Sequence, residues 1–289
     1  MFYKHIKNRQ KVTIVTVTGF TCKRGSLTIR GTEYRPQGSH LPIAVVSHGF
    51  MACQDSVRQY AKKLAELGYV SYCFDFCGGS VIKGKSSGKT TDMSVLTEIE
   101  DLNAVIQYAK RRPYTNEKNI VLMGCSQGGF VSALTAARSN DPISKLILFY
   151  PAFCIPYDAR KGKMLLAKFD PEHLPPIIRC GSMKLGRRYV QDVIKMNPYQ
   201  EIQGFHGDIL LVHGTNDNIV NTKYVKKAYQ TYLTENKQKN LTRKVLFRFV
   251  KGGGHGFSKK CDREAIMHIE HFLNTHDETH DKTIEKHEF

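Results

Sequence analysis

Residues 119–138 read NIVLMGCSQGGFVSALTAAR and carry the clearest structural signal in the chain. Its first five residues are typical of a buried strand, residues 124–129 form a glycine-rich turn, and residues 127–138 follow a helical pattern. A buried strand that runs directly into a helix belongs to the strand–helix alternation of a parallel sheet. We therefore predict an α/β protein.

The pattern continues in both directions from this stretch. Residues 12–18 and 26–34 alternate as antiparallel edge strands do. Further predicted strands and helices share apolar runs or helical spacing: strands 41–47, 69–76, 145–150, 208–212 and 244–250, and helices 57–67, 95–109 and 265–273. We expect a mostly parallel central sheet with helices on both faces.

One stretch, from about residue 152 to residue 204, breaks the alternation. It has no long apolar strand, it clusters prolines, and it is too long for a plain connection. We interpret it as a lid inserted on the sheet of a single domain spanning residues 1–289. Residues 159–188 carry eight Lys or Arg against two acidic residues. A polar tail is expected from about residue 275 to residue 289.

Composition and charge pattern argue against a nucleic-acid-binding, a metal-binding and a membrane-spanning protein. The 289 residues carry a net charge of +17, spread along the chain without a nucleic-acid-binding motif. The eight cysteines form no CxxC pair, so we expect free thiols, no metal and no cofactor. There is no apolar run of membrane-spanning length and no visible signal peptide, and we expect a cytoplasmic protein. A homodimer is left open.

Ser126 lies at the centre of the motif Gly124-Cys125-Ser126-Gln127-Gly128. Between a strand and a helix, this motif is typical of a nucleophile elbow, whose small flanking residues allow the strand and helix to pack closely. Cys125 is one position off the centre, so we expect its thiol to point into the core. Ser126 is the predicted nucleophile.

A serine nucleophile needs a base and an orienting acid, in the chain order Ser, Asp/Glu, His. Asp217 follows the strand predicted at 208–212, and His255 lies in a glycine-flanked loop after the last strand. We predict that His255 is the base and Asp217 its acid, with Asp158 as a rival acid. The backbone N–H groups of Phe50 and Gln127 are the expected oxyanion donors.

In combination, the motifs HGF (48–50), GCSQGG (124–129), HGTND (213–217) and GGGHGF (252–257) resemble the serine α/β-hydrolases, most of all the bacterial cinnamoyl and feruloyl esterases. The resemblance covers residues from about 12 to 273. It implies an α/β-hydrolase fold and an insertion in which Asp158 and Tyr189 bind the phenolic hydroxyl of the substrate. We expect Phe169 to contribute with them to selectivity for an aromatic acyl group.

These observations predict a serine esterase that hydrolyses carboxylic esters through an acyl-enzyme, on hydroxycinnamoyl or other small acyl esters. The expected partner is a small-molecule ester, without nucleic acid. A peptidase, an acyltransferase or a thioesterase would use the same motifs, because one fold supports many reactions. A non-catalytic basic binding protein on the same scaffold is a remote alternative.

Overall fold

The computed structural model describes residues 13–81 and 84–274. The predicted polar tail and the first residue of the first predicted strand lie outside the described residues. Within them, the strands in chain order are β1 Val15–Arg24, β2 Leu27–Pro36, β3 Leu41–Ser47, β4 Val70–Phe74, β5 Thr115–Cys125, β6 Ile143–Phe149, β7 Lys163–Met164, β8 Ala167–Lys168, β9 Ile177–Cys180, β10 Met183–Gly186, β11 Asp208–Gly214 and β12 Val245–Val250. The helices are α1 Arg58–Glu66, α2 Val95–Lys110, α3 Gln127–Arg138, α4 Ile155–Arg160, α5 Arg188–Gln191, α6 Pro198–Glu201, α7 Thr222–Lys239 and α8 Lys259–Asn274.

The described residues form a central eight-stranded sheet in the order β1-β2-β4-β3-β5-β6-β11-β12. Every pairing from β4 to β12 is parallel. Only β1 and β2, the two outermost strands on one side of the sheet, pair in antiparallel orientation. The predicted mostly parallel sheet is therefore confirmed, and the carboxyl ends of its parallel strands meet at one edge.

Both faces of the sheet are buried. In β3, Ile43 and Val45 pack into a core that includes side chains of α2, α3 and α7. Ala44 and Val46 point to the other face, into a core shared with α1 and α8. Because neither face of such a strand meets water, the sequence shows an uninterrupted apolar run. The prediction of helices on both faces is confirmed.

Several element boundaries differ from the predicted ones, three of them by four or more residues. Strand β1 ends at Arg24 rather than at 18, and the other two large differences lie at the starts of β5 and α8. Strand β5 begins at Thr115 rather than at 119, because its first residues are polar and lie at the solvent-exposed start of the strand. Helix α8 begins at Lys259 rather than at 265, because its first turn buries little more than Cys261. The first residues of β5 and α8 are mostly not buried, so they show no apolar periodicity from which the start of the element could be predicted.

The stretch between β6 and β11 contains ordered local structure instead of one long strand. Helix α4 comes first, two short hairpins, β7–β8 and β9–β10, follow in succession, and the short helices α5 and α6 come last. Ile178, Met183 and Leu185 on the second hairpin are buried against the main core. The stretch starts at the carboxyl end of β6, so it rises from the edge at which the other parallel strands also end.

Candidate active site

Ser126 occupies a strained turn between β5 and α3, with φ of 55° and ψ of −121°. A positive φ is unfavourable for a residue with a side chain, and such strain concentrates at functional sites. The N–H of Ser126 donates to the carbonyl oxygen of Phe149 at 2.9 Å. A Cβ on Gly124 would lie only 2.2 Å from the carbonyl oxygen of Gly128, so this turn requires glycine there.

Ser126, His255 and Asp217 form one hydrogen-bonded chain. Nε2 of His255 lies 2.8 Å from Oγ of Ser126, and Nδ1 lies 2.8 Å from Oδ2 of Asp217. The carboxylate can only accept, so Nδ1 carries a proton and Nε2 is free to take one from the serine. This is the order of contacts that activation of a serine by a histidine requires.

Asp217 is held by four hydrogen-bond donors. Oδ1 accepts from the N–H groups of Ile219 and Val220, each at 2.9 Å. Oδ2 faces both His255 and His213, the latter at 3.1 Å. Burial alone would raise the pKa of Asp217, but the hydrogen bonds from His213, His255 and the backbone hold it well below its usual value. Asp217 is therefore an ionised acceptor at neutral pH.

His213 is fully buried behind Asp217. Its Nε2 also lies 2.9 Å from the carbonyl oxygen of Val220. Because a carbonyl can only accept, Nε2 carries the proton and directs it between Asp217 and Val220. Its Nδ1 has no hydrogen-bond partner among the described residues. His213 thus orients the carboxylate that orients His255.

The loop after β3 approaches the serine from the other side. A Cβ on Gly49 would lie 3.0 Å from Cβ of Ser126, so the loop backbone runs close to the turn. Nδ1 of His48 donates to the carbonyl oxygen of Gly49 at 2.8 Å, and its Nε2 accepts from the N–H of Phe76 at 3.2 Å. Burial lowers the pKa of His48, which agrees with a neutral ring that donates once and accepts once. His48 therefore anchors the loop that carries Phe50.

Gln127 is the first residue of α3, so its N–H has no acceptor within the helix. Its side chain is buried and forms hydrogen bonds with two other buried side chains. Nε2 donates to Oε2 of Glu98 on α2 at 2.8 Å, and Oε1 accepts from the hydroxyl of Tyr189 on α5. Burial raises the pKa of Glu98 well above its usual value, which favours the neutral acid. This chain connects the inserted stretch to the turn that contains Ser126.

A cavity of about 840 Å³ opens above Ser126 and His255. Its wall is mostly apolar, with a few polar and charged groups. The other lining residues are Phe50, Gln127, Ala152, Cys154, Ile155, Asp158, Lys161, Lys163, Met164, Leu165, Leu166, Tyr189, Asn218, Ile219 and Val220. A concave apolar site with a few convergent polar groups is the usual form of a small-molecule site.

The three predicted substrate-binding residues differ in their position relative to the cavity. Asp158 lines the cavity. Tyr189 also lines it, but only 1 % of the residue is exposed and its hydroxyl already donates to Gln127. Phe169 is not among the lining residues: it packs against the core, and its N–H donates to the carbonyl oxygen of Gly162 at 2.9 Å. The structure therefore does not bring Phe169 to the cavity, because the hairpin before it forms the wall instead.

Asp217, and not Asp158, contacts His255. Asp158 lies beside Cys154, where burial raises the pKa of its carboxyl group despite the opposing effect of Lys161 and Lys163. Asp158 therefore lines the cavity from α4, whereas Asp217 is the hydrogen-bond partner of the imidazole.

Cys125 belongs to the core on the opposite face of the sheet, and burial raises the pKa of its thiol to about 12. A thiol with such a pKa is neutral and unreactive at physiological pH. In the described residues, no group of three or more His, Cys, Asp or Glu side chains is arranged to hold a metal ion.

Comparison with known families identifies the fold and the class of protein. The family model described as serine aminopeptidase, S33, matches residues 38–192, a span that contains the loop of Phe50, the turn of Ser126 and most of the insertion. The chain belongs to this family of serine hydrolases.

Solved structures place this hydrolase among the α/β-hydrolases, which confirms the predicted fold. Est1E from Butyrivibrio proteoclasticus, solved with ferulic acid bound, is 25 % identical with a TM-score of 0.75, covering 88 % of this chain and 98 % of that one. An esterase from Pyrococcus furiosus is 18 % identical with a TM-score of 0.64, covering 90 % of each chain. At that lower identity the likeness shows the fold alone.

A curated relative from Escherichia coli is an uncharacterized 31.7 kDa protein in the traX-finO intergenic region. It is 27 % identical over 113 residues, which are 39 % of this chain and 37 % of the relative. The hydrolase thus matches little more than a third of that relative's length. No helix in the described part of the hydrolase is long and apolar enough to cross a membrane.

Sequence reasoning missed the residues that support the site of the hydrolase. His48 and His213 stand in the HGF and HGTND motifs, but neither motif predicts their contacts, although the spacing of His213 and Asp217 leaves room for a direct one. Glu98 carries no recognisable signal, since it is an acidic residue in the first turn of an ordinary helix. Its contact with Gln127 depends on how α2 and α3 pack.

Proposed function

We propose that this chain is a serine carboxylic-ester hydrolase that works through an acyl-enzyme, with the inserted stretch as the lid over its cavity. The observation that carries the proposal is the hydrogen-bonded chain from Ser126 through His255 to Asp217 at the floor of the cavity. Membership in a serine hydrolase family and the likeness to Est1E, solved with ferulic acid bound, support it.

In the first half of the proposed reaction, Oγ of Ser126 attacks the ester carbonyl carbon while Nε2 of His255 takes the hydroxyl proton. The backbone N–H groups of Phe50 and Gln127 stabilise the oxyanion that forms. Preorganised donors of this kind contribute about 3–4 kcal/mol each to lowering the barrier. The tetrahedral intermediate then collapses, the C–O bond breaks, and the alcohol leaves with the proton from His255.

In the second half, water enters and His255 removes one of its protons as the oxygen attacks the acyl-enzyme. Collapse of the second intermediate returns the proton to Oγ of Ser126 and releases the acid. Asp217, ionised and held by its four donors, stabilises the imidazolium in both halves.

The proposed acyl group is hydroxycinnamoyl or another small acyl group. The apolar wall suits an aromatic or alkyl chain, and Asp158 offers an acceptor for a phenolic hydroxyl. The Tyr189 hydroxyl is engaged with Gln127, so Asp158 would bind the phenol without it.

Replacing Asp158 with alanine should raise KM for methyl ferulate about tenfold or more, the worth of a hydrogen bond to a charged group. KM for p-nitrophenyl butyrate, which has no hydroxyl to donate, should change little. Steady-state kinetics on both esters check this. Asp170→Ala is the matched control, since Asp170 is an exposed carboxylate of the same insertion outside the cavity. Equal losses on both esters would remove the support for a hydroxycinnamoyl substrate.

A second candidate, an aminopeptidase, is favoured by the description of the matching family. Such an enzyme must hold the free ammonium group of its substrate close to the serine. Asp158 is a carboxylate in the cavity, but Lys161 and Lys163 line the same cavity and would repel an ammonium group. The charge at the cavity therefore favours a neutral or anionic ester.

The two candidates are separated by one comparison on the wild-type protein. We expect kcat/KM for p-nitrophenyl butyrate to exceed that for leucine p-nitroanilide, and a fluorophosphonate probe to label Ser126. Faster cleavage of the amide would overturn the esterase proposal, and an unlabelled Ser126 would overturn both candidates.

A further inference from the structure

Large apolar side chains are exposed around the cavity mouth. Among the described residues, seven such side chains are exposed, and Leu165, Leu166 and Ile219 of these seven line the cavity. Leu166 is the most exposed of all, at 79 %, and a fourth, Ile177, lies on the neighbouring hairpin. Leu165 also adopts a positive φ of 49°, which is unusual for a bulky residue. Exposed apolar groups clustered in this way mark an interaction site.

Cations flank the same two hairpins in an unfavourable arrangement. Lys163 lies directly opposite Lys168 in β7–β8, and Arg179 lies directly opposite Lys184 in β9–β10. Like charges in directly opposed positions destabilise a hairpin. All four side chains are exposed, and none forms a salt bridge with another described residue. Two such pairs give a concentrated positive charge that no salt bridge within the described residues neutralises.

The two hairpins form one continuous surface. A Cβ on Gly181, in the turn of β9–β10, would lie 3.2 Å from Cδ1 of Leu166, in the turn of β7–β8. Sγ of Cys180 donates to the carbonyl oxygen of Met164 at 3.6 Å. The exposed leucines and the four cations thus lie together beside the opening above Ser126.

We propose that this hairpin surface, formed by residues 163–168 and 177–186, docks the protein on an anionic lipid surface. The cations would meet lipid phosphates while Leu165 and Leu166 enter the boundary between headgroups and acyl chains, as basic and apolar residues do at membrane interfaces. The exposed leucines favour lipid over a soluble polyanion, which offers them no apolar phase. Docking there would place the cavity mouth against the lipid, where ester-bearing lipids are presented. Binding itself does not depend on the proposed hydrolysis.

Co-sedimentation of the full chain with vesicles tests the proposal. We expect binding to vesicles of phosphatidylcholine and phosphatidylglycerol that weakens with added salt, and little binding to phosphatidylcholine alone. Each basic residue near such a surface contributes about a fivefold factor, so Arg179→Gln combined with Lys184→Gln should weaken binding about 25-fold. Lys118→Gln combined with Lys237→Gln removes the same charge from exposed positions at the opposite edge of the sheet and should leave binding unchanged.

A second pair of variants tests the apolar contact. Leu166→Ser should weaken vesicle binding about tenfold, which is the expected cost of losing a leucine side chain that becomes buried in the lipid on binding. Met267→Ser, which removes an exposed apolar side chain of α8 outside the cavity, should not. If Leu166→Ser has no effect and heparin competes fully, the surface binds soluble polyanions and the proposal is wrong. It is equally wrong if the leucines hold two copies together, so that Leu166→Ser converts a dimer to a monomer without changing vesicle binding.

Hydrolysis of soluble p-nitrophenyl butyrate is measured in parallel. Arg179 and Lys184 do not line the cavity, so their double variant should keep the wild-type rate. Normal turnover without vesicle binding overturns the docking proposal alone. Vesicle binding without any turnover supports docking and overturns the proposed ester hydrolysis.

Discussion

Replacing Ser126 with alanine is expected to lower kcat for p-nitrophenyl butyrate by about 10⁴-fold or more, because no other group can form the acyl-enzyme. The oxyanion donors and the cavity remain, so a small residual rate above the uncatalysed one should persist. The substitution removes one hydroxyl from a residue whose backbone is already fixed by its contact with Phe149. Circular dichroism and the melting temperature should therefore match the wild type.

Cys125→Ala is the matched control for this prediction. The two residues are neighbours in the same turn, but Cys125 faces the core on the other side of the sheet. Its variant should lose about 1 kcal/mol of stability and keep the activity. An active Ser126→Ala with an inactive Cys125→Ala would make the thiol the nucleophile and refute the proposed mechanism.

Replacing Asp217 with asparagine is expected to lower kcat about 10³- to 10⁴-fold, because an amide can hold His255 in the wrong tautomer and cannot stabilise the imidazolium. Asp208→Asn is the control: Asp208 begins the strand whose end leads to Asp217, and pairs with Lys145 at the opposite edge of the sheet. Steady-state kinetics on p-nitrophenyl butyrate should show the loss only for Asp217→Asn. Comparable losses in both variants would indicate a structural effect of the strand.

The same variant should change the pH dependence of stability. The pKa of Asp217 is lower in the folded protein than in the unfolded chain, so its charge stabilises the fold above the unfolded pKa of about 3.9. That contribution is lost as the pH falls below that value. The free energy of unfolding of Asp217→Asn should therefore be lower than that of the wild type at neutral pH, with the difference shrinking below about pH 4.

How well an element can be predicted from the sequence depends on how many of its side chains are buried. The apolar runs of β3, β6 and β11 were predicted to within two residues, because both faces of these strands are covered and their sequences show it. Helix α7 was not predicted, because only four of its eighteen residues are buried and the rest are mostly polar. The short hairpins of the insertion were missed for a related reason: two- and four-residue strands are too short to show a period.

The class of fold and the candidate catalytic residues can be predicted from short stretches of sequence. A glycine-flanked serine between a strand and a helix, and loops that carry an aspartate and a histidine after later strands, are local patterns written in consecutive residues. Tertiary structure alone decided the distances, since Ser126 and His255 are 129 residues apart and meet at 2.8 Å only because parallel strands end at one edge. It also decided that Glu98 and Tyr189 hold Gln127, and that each short hairpin places two cations face to face. Such contacts depend on how helices pack and on the register in which strands pair, and neither leaves a trace in the order of the residues.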